Sequence, residues 1–227
     1  LCVSVDLPDF PSVLALAEQY PHIYASVGVH PDYENLAEPQ AAQLAFLADH
    51  PKVVAIGETG LDYFRLKGDL EWQRERFRQH IRAALQCGKP LIIHTRAAAA
   101  DTLRIMAEEG ADSVGGVMHC FTESWEVAQQ AMEMNFYISF SGIVTFKKWI
   151  DDDLVRLVPR DRLLVASLDL DKTGRREEVD GLFAAHHPGL RLDVVHLQAA
   201  PVEDAAVGVV VLEIRDVEPG GVHVERV

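Results

Sequence analysis

The sequence predicts an α/β fold: a TIM-type (β/α) barrel that lacks its first strand–helix unit and ends in a divergent C-terminal tail. Short β-branched runs alternate with helical patterns along the first two thirds of the chain, which is typical of βαβ units and a parallel sheet. Seven such runs are too many for a short open sheet, and the 227 residues fall below the usual barrel size of about 250. An open doubly wound sheet is disfavoured because no glycine-rich phosphate loop follows the first strand.

The seven predicted strands are short and mostly apolar. They are Val3–Val5, Ile23–Val29, Val53–Ile56, Leu91–Ile93, Val114–Met118, Phe136–Phe140 and Leu163–Val165. In a parallel sheet all strands point the same way. Side chains at their C-terminal ends therefore gather on one rim.

The predicted helices lie between these strands. They cover Pro8–Tyr20, Gln40–Ala48 and Leu70–Cys87, the last closing on Gly88. Asp101 is expected to cap a helix that closes on Gly110, and Thr122 or Ser124 to cap one running to Met134. The arginine row of the third helix is expected to be a solvated face; it comprises Arg74, Arg76, Arg78 and Arg82.

Two regions are predicted along the chain: a barrel domain, residues 1–166, and a divergent tail, residues 167–227. Aromatic residues nearly vanish in the tail, leaving Phe183, and short β segments are predicted at Arg191–Leu197 and Val207–Ile214. A reading-frame change, partial disorder or a divergent natural C-terminus would each explain the shift. Because the chain begins on Leu1, we expect that its true N-terminus is missing. A barrel without its first strand is expected to aggregate or oligomerise unless the tail supplies a strand.

Composition limits the class of protein. The net charge of −14 argues against a protein that coats nucleic acid, but not against an enzyme that meets one phosphate with bound metal ions. The three cysteines are irregularly spaced, so a reducing cytoplasm is the expected location. No apolar run approaches the roughly 20 residues of a membrane span. No membrane association and no obligate protein partner are predicted.

Three residues of metal-ligand type follow successive strands: Glu58 in VVAIGETGLDY, His94 in PLIIHTR and His119 in GGVMHCF. Each alone has a structural reading as a hydrogen-bonded side chain. Together they occupy the position of their units that faces one rim, which predicts a divalent-metal site and suggests hydrolysis. Glu58 is the natural bridging carboxylate between two ions, with His94 and His119 as terminal ligands.

Other residues near strand ends have weaker signals. His30 is a candidate for substrate contact, and Arg65 and Arg96 for phosphate binding, although a structural histidine and solvated charges are the alternatives. Asp62 is expected in a loop or cap, with contact to the metal site as the alternative, and Asp6 is expected near a helix N-cap. Lys147 and Lys148 follow another strand end and have the same two interpretations, phosphate binding or solvated charge. Cys120 is expected to face away from the rim, since adjacent strand residues point to opposite faces.

The segments GVHP, IGETGLDY, LIIHTR, MHCFT and FYISFSGIVTFK resemble the TatD-type metal-dependent deoxyribonucleases over about residues 3–165. The resemblance implies a barrel of the metal-dependent hydrolase kind and two divalent ions (Mg²⁺, Mn²⁺ or Zn²⁺). It also implies hydrolysis of DNA phosphodiesters, often from a 3′ end. Glu58, His94 and His119 correspond to family ligands by motif.

Two family motifs are missing here. The His-x-His pair of the first strand is absent, and Leu168 occupies the position of the last-strand aspartate, with Asp169 one residue later as a weak catalytic candidate. We therefore expect impaired nuclease activity. A non-catalytic binding protein on the same barrel and an amidohydrolase acting on small amides are the alternatives.

Overall fold

Seven parallel strands with intervening helices form a curled sheet in the computed structural model, which describes residues 1–34, 36–145, 152–165, 190–191, 208–209 and 215–216. The strands are β1 Cys2–Val3, β2 Ala25–Val27, β3 Val53–Asp62, β4 Leu91–Arg96, β5 Gly116–Met118, β6 Phe136–Phe140 and β7 Leu163–Val165. The helices are α1 Phe10–Gln19, α2 Ala41–Ala48, α3 Glu71–Cys87, α4 Ala99–Glu109, α5 Trp125–Glu133 and α6 Asp152–Leu157. The predicted fold class is confirmed, and all seven predicted strands are present.

The strands lie in the order β7-β6-β5-β4-β3-β2-β1, and each neighbouring pair is parallel. The described part of the tail adds three short strands, β8 Leu190–Arg191, β9 Gly208–Val209 and β10 Arg215–Asp216. Strand β9 pairs antiparallel with β1, and β8 pairs with β10. The tail thus supplies a strand to the β1 edge. This is the case in which the sequence does not predict aggregation.

Two apolar clusters occupy opposite faces of the sheet. Ile56, Leu91, Ile93 and Met118 belong to the larger cluster, which the helices cover. The intervening residues form a smaller cluster on the inner face, consisting of Val3, Ala55, Ile92 and Val117. Because side chains alternate along a strand, His94 shares the inner face with Ile92. The metal-ligand candidates therefore lie at the C-terminal end of an apolar inner layer.

Most local details agree with the helix predictions, although α6 was not predicted and two residues are exceptions. Helices α3 and α4 end at Gly88 and Gly110, both in the left-handed conformation. The Asp6 carboxylate accepts the backbone N–H of Asp9, the N-cap of α1, as expected for an N-cap region. Asp101, however, is not a cap: α4 begins two residues earlier, and the carboxylate accepts the Tyr63 hydroxyl at 2.7 Å.

The second exception is Arg76, which is buried rather than solvated. Its side chain is only 1% exposed and forms a two-pronged ion pair with Glu38. The other arginines of the row match the expectation better, since they pair with carboxylates at the helix surface. No helix in the described ranges has the length and apolar character of a membrane span.

A buried histidine in α3 makes folding stability depend on pH. His80 is fully buried, and its burial lowers its pKa from 6.5 to about 4. Below pH 6.5 the unfolded chain binds a proton that the folded chain excludes, so stability is full above that pH and falls as the solution is acidified. The expected contribution of His80 is a loss of about 2 kcal/mol between pH 8 and pH 5.

The measurement is urea unfolding of the wild type and of His80→Gln at both pH values. The glutamine oxygen can accept the same backbone hydrogen bond without titrating. We expect a smaller pH-dependent loss in the variant, and equal losses in both proteins would contradict the assignment to His80.

Candidate metal centre

Three side chains meet at the C-terminal rim of β2, β3 and β4. His30, Glu58 and His94 each offer one ligand atom, and these atoms lie within 4.8 Å of one another. The Glu58 carboxylate is 3.7 Å from Nδ1 of His94, and the rings of His30 and His94 meet edge-on with centroids 4.6 Å apart. The side chains are 12–18% exposed, so the cluster is shielded but reachable from solvent.

Strand register sets this meeting point. Strand β3 pairs with β4 so that Gly60 lies opposite His94, after an irregularity between Ile56 and Thr59. Backbone bonds from Glu58 to Ser4 and from His30 to Val5 hold these residues against the end of β1. Glu58 and His94 are therefore placed by strand backbone, and His30, three residues beyond β2, by its backbone bond to Val5.

Asp62 orients His94. Its Oδ2 lies 3.1 Å from Nε2 of His94, and its other oxygen accepts the backbone N–H groups of Phe64 and Arg65. Burial alone would raise the pKa of Asp62, but the bond to His94 and the two N–H groups hold it well below its usual range. An ionised carboxylate only accepts hydrogen bonds, so Nε2 of His94 carries a hydrogen, and Nδ1 is the ring nitrogen that faces Glu58.

His119 lies near Glu58 and His94 but is not a member of the cluster. Its backbone N–H donates to Ile93, which places the residue beside His94, and its ring is 3% exposed. Burial lowers the pKa of His119, against the opposing charge of Glu58. Its Nδ1 is buried and has no hydrogen-bond partner among the described residues. A neutral ring with an unpaired buried nitrogen is suited to binding a cation.

Strand alternation predicts that Cys120 faces away from the rim that His119 faces, but the two side chains are in contact. Its sulfur lies 3.2 Å from Nε2 of His119. Strand β5 ends at Met118, and Cys120 adopts a positive φ of 46°, so the alternation rule no longer applies. Burial raises the pKa of the Cys120 thiol to about 12. A thiol that stays protonated at neutral pH is a poor nucleophile.

The two predicted phosphate-binding arginines lie above the cluster but outside it. Arg96 follows His94 on the same face of β4, and its guanidinium stacks 4.1 Å from the centre of the Phe64 ring. Arg65 is exposed and pairs with Asp32 at 2.6 Å, beside His30. Asp169 lies outside the described residues, as do Lys147 and Lys148.

The donor set fits a divalent cation. One carboxylate with imidazole nitrogens is a common ligand set for Zn²⁺ and Mn²⁺, while Mg²⁺ prefers oxygen ligands alone. Burial lowers the pKa of His30, although Glu58 opposes this, so its ring is neutral and able to bind a metal near pH 7. The Asp62–His94 pair is the carboxylate–histidine arrangement that orients metal-bound imidazoles.

Comparison with known proteins finds metal-dependent hydrolases. The sequence profile described as TatD related DNase matches residues 1–176. The uncharacterized metal-dependent hydrolase YabD of Bacillus subtilis (strain 168) is 46% identical over 165 residues, 72% of this chain and 65% of the Bacillus protein. The chain thus spans slightly less than two thirds of that relative. The human 3′-5′ RNA nuclease TATDN2 is 29% identical over 199 residues, 86% of this chain and 26% of the human protein.

A solved structure shows the same architecture. The crystal structure of YjjV, a TatD homolog from Escherichia coli K12, superposes with a TM-score of 0.65 at 28% identity, over 71% of this chain and 64% of the bacterial one. The profile match covers well over half of the sequence, and the resemblance seen in the motifs is confirmed. The chain belongs to the TatD family of metal-dependent hydrolases.

Proposed function

We propose that this chain hydrolyses phosphodiester bonds of DNA at a divalent-metal site formed by His30, Glu58 and His94. The observation that supports it most directly is the convergence of the three ligand atoms within 4.8 Å at the strand ends. The family profile, described as TatD related DNase, favours DNA as the substrate. His119, predicted as a direct ligand, is proposed to complete the site from below.

The metal and the protein divide the chemistry. A divalent ion held here would lower the pKa of a coordinated water to about 7 and polarise a phosphoryl oxygen. Asp62 keeps the hydrogen of His94 on Nε2, so Nδ1 stays free for the ion. Glu58 supplies the negative charge of the cluster. The apolar layer beneath, which includes Ile92 and Val117, limits water at the inner side.

Substrate contacts are proposed on the rim above the ligands. Phe64 is 59% exposed, and Arg96 stacks against its ring. The exposed Phe64 ring, stacked on the Arg96 guanidinium, is suited to stacking with an unpaired base. Arg96 and Arg65 are proposed to contact a phosphate. Because the chain carries a net charge of −14, binding depends on these local contacts rather than on a broad basic surface. These features favour a single-stranded end over a duplex.

Activity is proposed to be weak. Among the described residues the ligand cluster has three members, fewer than two metal ions require. The test is a 5′-labelled DNA strand incubated with Mn²⁺. We expect slow shortening from the 3′ end, no products with excess EDTA, and recovery when Mn²⁺ is restored.

An RNA strand of the same sequence provides the comparison, because the human relative is named a 3′-5′ RNA nuclease. Faster cleavage of the RNA strand than of the DNA strand would indicate that RNA is the preferred substrate. Binding of Mn²⁺ and DNA without cleavage would favour the non-catalytic alternative. If bis(p-nitrophenyl) phosphate is also untouched at high Mn²⁺, phosphodiester hydrolysis is excluded.

A further inference from the structure

We infer that a buried polar stripe on α3, formed by Gln73, Arg76 and His80, positions His30 and His94 for metal binding. These residues are positioning residues, since they act through backbone groups and through Asp62. The inference rests on the proposed metal site. It adds a reason why a helix on the outer layer carries three buried polar side chains.

His80 fixes the residue before His30. It is fully buried, and its Nε2 accepts the backbone N–H of Val29 at 2.9 Å. The other ring nitrogen donates to the carbonyl of Arg76 at 2.8 Å. Since Nε2 acts as an acceptor, the ring is neutral with its hydrogen on Nδ1. His80 thus connects the end of β2 to the third helix.

Arg76 fixes His30 itself and the loop after it. Its guanidinium donates to the carbonyls of His30 at 3.3 Å and Tyr33 at 2.7 Å. The remaining N–H groups form a two-pronged pair with Glu38 at 2.7 and 2.8 Å. The rigid fork of an arginine can make these contacts at once, which a lysine cannot.

Gln73 joins this loop to the end of β3. Its Oε1 accepts the backbone N–H of Asp62 at 2.9 Å, and its Nε2 donates to the carbonyls of Pro31 at 3.2 Å and Asp62 at 3.4 Å. Both backbone groups of Asp62 therefore contact one buried side chain. Asp62 in turn binds Nε2 of His94.

The three residues share one face of α3, with spacings of three and four. Burying polar groups is costly unless they are paired, and a stripe of leucines would stabilise the core at lower cost. Within the described ranges, all the partners of this stripe outside its own helix are loop groups from Val29 to Glu38, or Asp62. Two sides of the ligand cluster are consequently fixed to the same helix, as expected for groups that orient metal ligands.

The experiment is a double-mutant cycle on Mn²⁺ affinity, with His80→Leu in the wild-type and His30→Ala backgrounds. We expect H80L to weaken Mn²⁺ binding about tenfold in the wild type and less than about twofold where His30 is already absent. His80→Gln, which keeps an acceptor for Val29, is expected to bind Mn²⁺ nearly as well as the wild type. Equal weakening in both backgrounds, or no rescue by H80Q, would overturn the inference.

A second readout requires no metal. In the metal-free chain, the ring signal of His30 in a ¹³C–¹H NMR spectrum is expected to be single and sharp in the wild type and H80Q. In H80L we expect it to broaden or split, and an unchanged signal would refute the positioning role. The NMR signal tests the positioning role even if H30A binds Mn²⁺ too weakly for its affinity to be measured. The same signal tests the positioning role if the wild type binds no Mn²⁺. That absence of binding would refute the proposed metal site, not the positioning role.

Two further variants complete the design. Arg82→Met is the matched control, because Arg82 lies on the outer side of the same helix and pairs with Glu109 and Glu75. It is expected to leave both Mn²⁺ affinity and the His30 signal unchanged. Should H80L fail to fold, Arg76→Lys takes its place in the cycle with the same expected outcomes.

Discussion

Replacing Glu58 with glutamine is expected to reduce Mn²⁺-dependent cleavage of DNA by about 100-fold or more, because it removes the charge that balances the cation. In the structure Glu58 is the carboxylate of the ligand cluster, 3.7 Å from His94. Glutamine preserves the size of the side chain and an oxygen atom. The loss would therefore report the charge and not the shape of the site.

The measurement combines initial cleavage rates with Mn²⁺ titration by calorimetry. The free energy of unfolding in metal-free buffer is expected to differ from the wild-type value by less than about 1 kcal/mol, since no hydrogen bond essential to the fold is lost. Glu109→Gln is the matched control: it removes a carboxylate that pairs with arginines of α3, far from the rim. If E58Q cleaves DNA at the wild-type rate, Glu58 is not part of the reacting site.

The fold was predictable because its signals are local. Every predicted strand is a short, mostly apolar run, and most of the observed strands differ from it by at most two residues at either end. Strand β3 is the largest difference: it was predicted to end at Ile56 but continues to Asp62. Hydrogen bonds across to β4 extend it, and that cross-strand pairing cannot be read from the run itself.

The extended strand also places Asp62 beside His94 and not in a separate loop. Glu58 and Asp62 are four residues apart, so in a continuous strand they would share a face. A strand thought to end at Ile56 leaves Asp62 in a loop, where it resembles a turn residue. The signal was present in the spacing, but it depended on the true length of β3.

The grouping of the ligands was harder to predict. The sequence placed Glu58, His94 and His119 on one rim, and the structure brings His30 closer to the first two than His119. His30 lies three residues beyond the end of β2, and its direction depends on how the following loop folds back. That path is determined by bonds to α3, which are distant in sequence.

The polar stripe on α3 was also hard to predict, because its partners are distant in sequence. Arginines on an amphipathic helix usually face water, and only tertiary contacts distinguish Arg76 from its neighbours. His80 and Gln73 carry no motif. Polar residues among the apolar positions of a helix are the available signal, and they become interpretable once the partners in the loops are known.

Replacing Gly60 with alanine is expected to destabilise the chain by about 3 kcal/mol or more and to disrupt the ligand cluster. Gly60 lies opposite His94 in the β3–β4 pair, with a φ of +129°. A Cβ at this position would overlap the carbonyl oxygen of His94, which is backbone and cannot rotate away. The two strands must separate where they carry Glu58 and His94. Urea unfolding in metal-free buffer measures the cost, and Mn²⁺ titration of the folded fraction measures the damage to the site.

Gly88→Ala is a comparison variant in which no close contact is created. Gly88 also has a positive φ, +66°, at the C-terminus of α3, but a Cβ there would meet no atom within 4 Å. Its replacement should cost only the left-handed backbone strain, about 1–2 kcal/mol, and leave Mn²⁺ affinity unchanged. The excess loss in Gly60→Ala would then measure the close contact between β3 and β4 together with the greater backbone strain at a φ of +129°. Equal losses of stability in the two variants, with metal affinity intact in both, would mean that the strands can separate here without disturbing the ligands.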